Sequence, residues 1–127
     1  MNGLIIEKNG EFSDLTNTFI ISPLEIKNYL NNLKNISPEV IIFSINSPGG
    51  TVSASKNLYD IIKEFKKNNN VKILFHTNEL LASGGYWVST SADEIYANYG
   101  SIVGSIGVKG PDWFFYDQPK SISTGIF

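Results

Sequence analysis

Val40-Ile41-Ile42-Phe43-Ser44-Ile45-Asn46-Ser47-Pro48-Gly49-Gly50 is the stretch on which the fold turns. Its first six residues are a nearly continuous apolar run, the pattern of a strand covered on both faces, and the run breaks off in a Pro-Gly-Gly turn. A helix should follow. Leu58, Ile61, Ile62 and Phe65 recur at helical spacing, Lys56, Lys63, Glu64, Lys66 and Lys67 fall mostly on the other side, and Asn68, Asn69 and Asn70 stop it. Val71 to Thr77 reads as a second strand and Asn78 to Ala82 as a link. Ser83-Gly84-Gly85 opens a short helix running to about Ala92, and Glu94 to Ala97 is a further strand.

Working toward the start, Leu4 to Glu7 and Phe19 to Ile21 are short apolar runs on either side of a polar stretch. Ser22, Pro23 and Glu25 supply an N-cap, a proline at the first helical position and the acidic member of a capping box. Ile26, Leu30 and Leu33 then carry a helix to about Asn35. Alternating strand and helix predict an α/β fold with parallel neighbours. At the other end, Ile122 to Phe127 looks like an apolar segment entering a strand that is never completed, so the chain reads as a fragment.

The chain has 127 residues, which suits one domain over 1–127 and is too short for two well-formed ones. Apolar residues make up 42% and charged residues 17%, the balance of a globular protein. A formal charge of −2 arises from 12 acidic and 10 basic side chains with no basic cluster, so nucleic acid is not an expected partner. There is no cysteine and only one histidine, which removes disulfides, thiolate nucleophiles and His-rich metal sites; no metal or cofactor is expected. No stretch approaches the ~20 apolar residues of a membrane span, and the start lacks a basic and then apolar leader, so the chain as given reads as soluble.

Open α/β sheets gather reactive groups at the carboxyl ends of their strands, and here two consecutive strands end in glycine pairs with serine nearby. Glycine lets a backbone N–H approach a substrate carbonyl with no side chain in the way, and two such groups make an oxyanion hole. Ser83 lies beside the free N–H groups of a helix start, where developing negative charge is favoured. On local grounds alone it is an ordinary N-cap, and Gly49 and Gly50 an ordinary turn. The chain has no G-x-S-x-G elbow.

Three ordered blocks go further: Ile45-Asn46-Ser47-Pro48-Gly49-Gly50, Ala82-Ser83-Gly84-Gly85-Tyr86 and Gly104-Ser105-Ile106-Gly107-Val108. Together they resemble the signal peptide peptidase A type of peptidase, family S49, over most of the chain to about Val108. The resemblance implies a ClpP/crotonase-like spiral of β-β-α units, incomplete at the C-terminus, and a Ser/Lys dyad with Ser83 as nucleophile. It further implies that Gly50 and Gly84 give the oxyanion-hole N–H groups, that Gly49 and Gly85 keep that space clear, and that Gly104 to Gly107, Ser105 included, line the cleft. A lysine base must be neutral to act, which needs burial or a nearby like charge. The resemblance places it beyond Phe127. Lys109 and Lys120 are the lysines after Ser83, and both read as solvated surface residues.

His76 precedes Ser83, the wrong order for a ClpP-like triad, and reads as a packed or surface residue. Tyr86 and Trp87 most simply pack the short helix on the sheet, and Trp113 to Tyr116 read as a subunit contact. The activity these implications give is that of a serine endopeptidase taking short extended peptides by β-addition and passing through an acyl-enzyme. A homo-oligomer and a membrane association outside this segment, with the catalytic part extracytoplasmic, come with the resemblance. Two other classes stay open: a non-catalytic member serving assembly or peptide binding, motivated by the missing base, and a crotonase-type acyl-CoA enzyme sharing the fold and oxyanion hole.

Overall fold

Along Lys72–Thr77 every second side chain is buried, Ile73, Phe75 and Thr77, as the two-residue period of a strand with one packed face requires. This strand is the middle of a sheet in the computed structural model, which describes residues 1–7 and 19–107. The elements in chain order are β1 Leu4–Ile5, β2 Ile20–Ile21, α1 Pro23–Leu33, β3 Val40–Ser44, α2 Val52–Asn69, β4 Lys72–Thr77, β5 Leu80–Ala82, α3 Gly84–Ser89, β6 Glu94–Ala97 and β7 Ile102–Gly104.

Among the described residues every ladder is parallel. One sheet has the order β3-β4-β6, with Phe43 opposite Phe75 and Phe75 opposite Ile95; the pairs β1-β2 and β5-β7 are separate. Single parallel bridges, Asn2 to Asn46, Ile5 to Gly50 and Ser47 to Leu81, tie the stretch after β3 to β1 and to β5. The chain therefore repeats one course. A strand in the three-stranded sheet is followed by a short strand or bridge in the second layer and then a helix: β3, residues 45–50 and α2, then β4, β5 and α3, then β6 and β7. This is the mixed α/β spiral of β-β-α units that the resemblance implies.

The core joins Ile41, Ile45, Ile73 and Phe75 of the sheet to Leu30 of α1 and Ala54, Leu58, Ile62 and Phe65 of α2. Phe43 and Phe75 stack with ring centroids 5.0 Å apart. Burying each Leu or Ile fully contributes about 1.5–3 kcal/mol, so one face of α2 supplies much of what holds the helix down. Its N-terminus is closed by Thr51, whose Oγ1 accepts from the Ala54 N–H at 3.3 Å. Its C-terminus ends at Asn70 in the left-handed region (φ 47°), a conformation asparagine tolerates better than most residues.

Three sequence expectations are corrected. β3 is covered on one face only among the described residues: Val40 and Ile42 are exposed, since α1 and α2 pack on the face that holds Ile41. Ser22 stands at the N-cap of α1, but its side chain makes no cap bond; Oγ is buried without a partner among the described residues, and the Ile26 N–H goes to the Ser22 carbonyl at 3.1 Å instead. Residues 78–82 are not merely a link, since they include β5. The C-terminal expectations for Lys109, Trp113 to Tyr116, Lys120 and Ile122 to Phe127 lie outside the described residues. Among the described residues no helix is long and apolar enough to cross a membrane.

Candidate active site

The site begins with how Asn46 anchors the link after β4. Its Oδ1 accepts from Thr77 Oγ1 (2.9 Å), the Asn78 N–H (3.2 Å) and the Glu79 N–H (3.1 Å), fixing the bend that feeds β5. Ser47 continues the anchoring. Its N–H donates to the Leu80 carbonyl (2.7 Å), its carbonyl accepts from the Ala82 N–H (3.0 Å), and its Oγ donates to the Gly3 carbonyl (2.8 Å). The first glycine block is thereby laid directly beside β5, at whose end stands Ser83.

Ser83 occupies a sharp strand-to-helix turn with φ 51° and ψ −123°, a conformation that costs a non-glycine residue on the order of 1–3 kcal/mol. Its N–H donates to the Gly104 carbonyl (3.2 Å), and its carbonyl accepts the first bond of α3, from Trp87 (2.9 Å). The hydroxyl forms no cap bond. Ser83 sits at the capping position without doing the capping, which separates it from the ordinary N-cap that local sequence allows.

Gly49 and Gly50 are glycines for different reasons. A Cβ on Gly49 (φ 109°) would lie 2.8 Å from Ser83 Cβ and 3.0 Å from its Oγ, so the bare backbone is what lets this turn press against the serine. A Cβ on Gly50 would meet the Ile5 carbonyl oxygen at 1.8 Å. β1 therefore dictates that glycine. In the Ile5 to Gly50 bridge the bonds are made by the neighbours, the Ile5 N–H to the Gly49 carbonyl (2.9 Å) and the Thr51 N–H to the Ile5 carbonyl (3.0 Å). By the parallel pattern Gly50 turns its own N–H away from β1. That nitrogen lies 3.3 Å from where a Cβ on Gly84 would be, so the two glycines are neighbours across the turn.

A cavity of about 350 Å³ opens here, lined by Gly50, Ser83, Gly84 and Ser105 and walled by Val52, Tyr86, Trp87 and Ile106. Of the residues named from sequence, Ser83, Gly50, Gly84 and Ser105 meet at this cavity and Gly49 backs onto Ser83. Gly85 does not line it. A Cβ there would face Ser47 Cβ at 3.0 Å, so Gly85 lets α3 pack on the first glycine block. Tyr86 and Trp87 do more than pack the helix: both border the cavity, and the Trp87 ring lies 6.4 Å from that of Tyr59. His76 stands apart, with Nε2 bonded to Asn98 Oδ1 at 3.0 Å. Sequence reasoning missed Ser55, a fully buried serine on α2 that also lines the cavity. A small residue on a helical apolar face carries no signal of its own.

Comparison with known proteins agrees with the class the glycine blocks define. Residues 65–122 match the model of peptidase family S49, so the resemblance to that family is shown. The chain is 38% identical over 100 residues, 78% of its length, to a putative protease of Methanocaldococcus jannaschii, and covers 32% of that protein. It is 33% identical over 114 residues, 85% of its length, to a putative signal peptide peptidase SppA of Enterococcus faecium, covering 31% of it. It is also 40% identical over 88 residues, 69% of its length, to a Brucella melitensis protein named as the Na(+)/H(+) antiporter NhaA, covering 12%. The chain thus spans between an eighth and a third of these relatives. Among solved structures, a ClpP1 mutant from Listeria monocytogenes is 26% identical with a TM-score of 0.46, over 72% of this chain and 46% of that one.

Proposed function

We propose that this chain is the nucleophile-bearing part of a serine endopeptidase of the signal peptide peptidase type. The observation that carries this reading is Ser83, an uncapped hydroxyl on a strained strand-to-helix turn, at a cavity where the Gly50 and Gly84 backbones lie side by side. A strained turn of this kind is how α/β-hydrolase elbows expose a nucleophile, here without their motif. The names of the protease and signal peptide peptidase relatives support the same activity. Ion transport is not carried over from the Brucella relative, because the shared segment is a small part of that protein.

In this reading Ser83 Oγ attacks the scissile carbonyl carbon. As the Oγ–C bond forms, the serine proton passes to the base and the carbonyl π electrons move onto oxygen, facing the Gly50 and Gly84 N–H groups. Collapse breaks the C–N bond, and the leaving amine takes the proton back from the base. Water then hydrolyses the ester and frees Ser83. The base the resemblance implies is a neutral lysine. Apolar walls from Val52, Trp87 and Ile106 suit an apolar substrate side chain next to the scissile bond. β7 pairs only with β5 among the described residues, and an extended peptide added to its other edge would run past Ser83.

The full-length protein should therefore be labelled by a peptidyl phosphonate and should cleave short apolar peptides. Ser83→Ala should lower cleavage at least ~10³-fold with an unchanged melting temperature. Cleavage by Ser83→Ala at the parent rate would remove the assignment. The homo-oligomer and membrane association that the resemblance implies form part of the same proposal; sedimentation of the full-length protein over a range of concentrations, with and without vesicles, checks both.

A further inference from the structure

Ser55 combines three properties that do not otherwise occur together among the described residues. It is fully buried on α2, its Oγ has no hydrogen-bond partner, and it lines the cavity that holds Ser83. A buried hydroxyl without a partner is unfavourable and is uncommon in native structures, which makes its surroundings informative. Those surroundings are specific. A Cβ on Gly84 would come within 2.2 Å of Ser55 Oγ, and the same point is 3.3 Å from the Gly50 nitrogen. The Ser55 hydroxyl thus packs against Gly84 at a point close to the Gly50 nitrogen, beside the two glycines whose N–H groups are assigned to the developing oxyanion. Ser22, the other buried serine lacking a partner among the described residues, sits at the start of α1 and does not line this cavity.

Resting on the reading of Ser83 as nucleophile, we infer that Ser55 Oγ is a third donor to the substrate carbonyl oxygen. Its O–H would join the Gly50 and Gly84 N–H groups as negative charge builds on that oxygen. A donor already placed by the fold needs little reorganisation when the transition state forms. The hydroxyl gives no proton away, since it donates a hydrogen bond only, and the proton balance of the reaction is unchanged.

Two variants in the full-length protein test this with a p-nitrophenyl ester of a short apolar acyl-peptide, following the nitrophenol burst. Ser55→Ala should lower the acylation rate about 10–100-fold with little change in KM, because the contact is made chiefly in the transition state. The same variant should melt no lower than the parent, and slightly higher, since removing an unpaired buried hydroxyl relieves an unfavourable term. Ser55→Cys, close in size but a weak donor, should lose rate similarly, which guards against a packing effect of the alanine. A purely structural Ser55 would instead show a lower melting temperature and a burst reduced in amplitude but not in rate. That result, or a parental acylation rate in either variant, overturns the inference. If the parent gives no burst that depends on Ser83, the nucleophile assignment itself falls and Ser55 with it; a parental burst matched by Ser55→Ala removes the third donor alone.

Discussion

Ser83 shows why a single residue can look ordinary in sequence and not in space. Serine is favoured at N-caps because its oxygen accepts from an early helical N–H, yet here the backbone takes φ 51° and ψ −123° and that oxygen makes no cap bond to α3. The partner that matters is Gly49, which has no Cβ to push the serine aside. Gly49→Ala must place a methyl 2.8 Å from Ser83 Cβ and hold an alanine at φ 109°, so it should cost about 1–3 kcal/mol and displace the hydroxyl. Thermal melting together with phosphonate labelling checks this, and the expected outcome is a folded protein of lower melting temperature that labels at least ~10²-fold more slowly. Normal labelling would mean that the turn and the serine move independently.

At the scale of elements, the short β1 is a structural support for the glycine block and not a decoration of the sheet. Gly50→Ala would drive a methyl into the Ile5 carbonyl oxygen, a backbone atom that cannot rotate away, so it should separate β1 from residues 49–51 and destabilise by several kcal/mol, about 2–4. Hydrogen exchange is the direct check, because the Ile5 and Thr51 N–H groups give the two bonds of the bridge and should lose protection first. The helices and long strands were legible from sequence, since α2 and β4 show clear 3.6- and two-residue periods. β5 and β7 were not. Leu80-Leu81-Ala82 and Ile102-Val103-Gly104 are three-residue strands, too short to show a period, and their pairing is set by the turn that Asn46 holds. The glycines of the site could be read from their blocks; Ser55 could not, because its meaning lies in a missing partner.

At the scale of the whole molecule, two ion pairs among the described residues, Lys66 with Asp93 and Lys72 with Glu94, join α2 and β4 to the start of β6. Asp93 is held below the ordinary carboxylate range first by Lys66, 2.6 Å away, and then by the Ile73 N–H it accepts at 2.9 Å. Glu94 is lowered chiefly by Lys72 at 2.5 Å. Both groups titrate lower in the folded than in the unfolded chain, so their support is present above the unfolded carboxylate values and is lost as pH falls through the folded ones. Melting temperature should therefore be flat near neutrality and decline below about pH 4, with added salt weakening the effect at these exposed pairs. An Asp93→Asn variant should lose part of that acid dependence; an unchanged pH profile would show the pairs to be incidental.

The all-parallel pairing has one more consequence, and it concerns time. A hairpin can close locally, but parallel strands meet only after the chain has gone out through a connection and come back. Residues 45–50 are fixed by partners from residues 1–5 on one side and 80–82 on the other, so no short segment of this chain can form the pocket alone. Such non-local closure slows folding. The serine hydroxyl and the glycine backbones around it should come together among the last events of folding, which leaves the proposed nucleophile unassembled while the chain is still open.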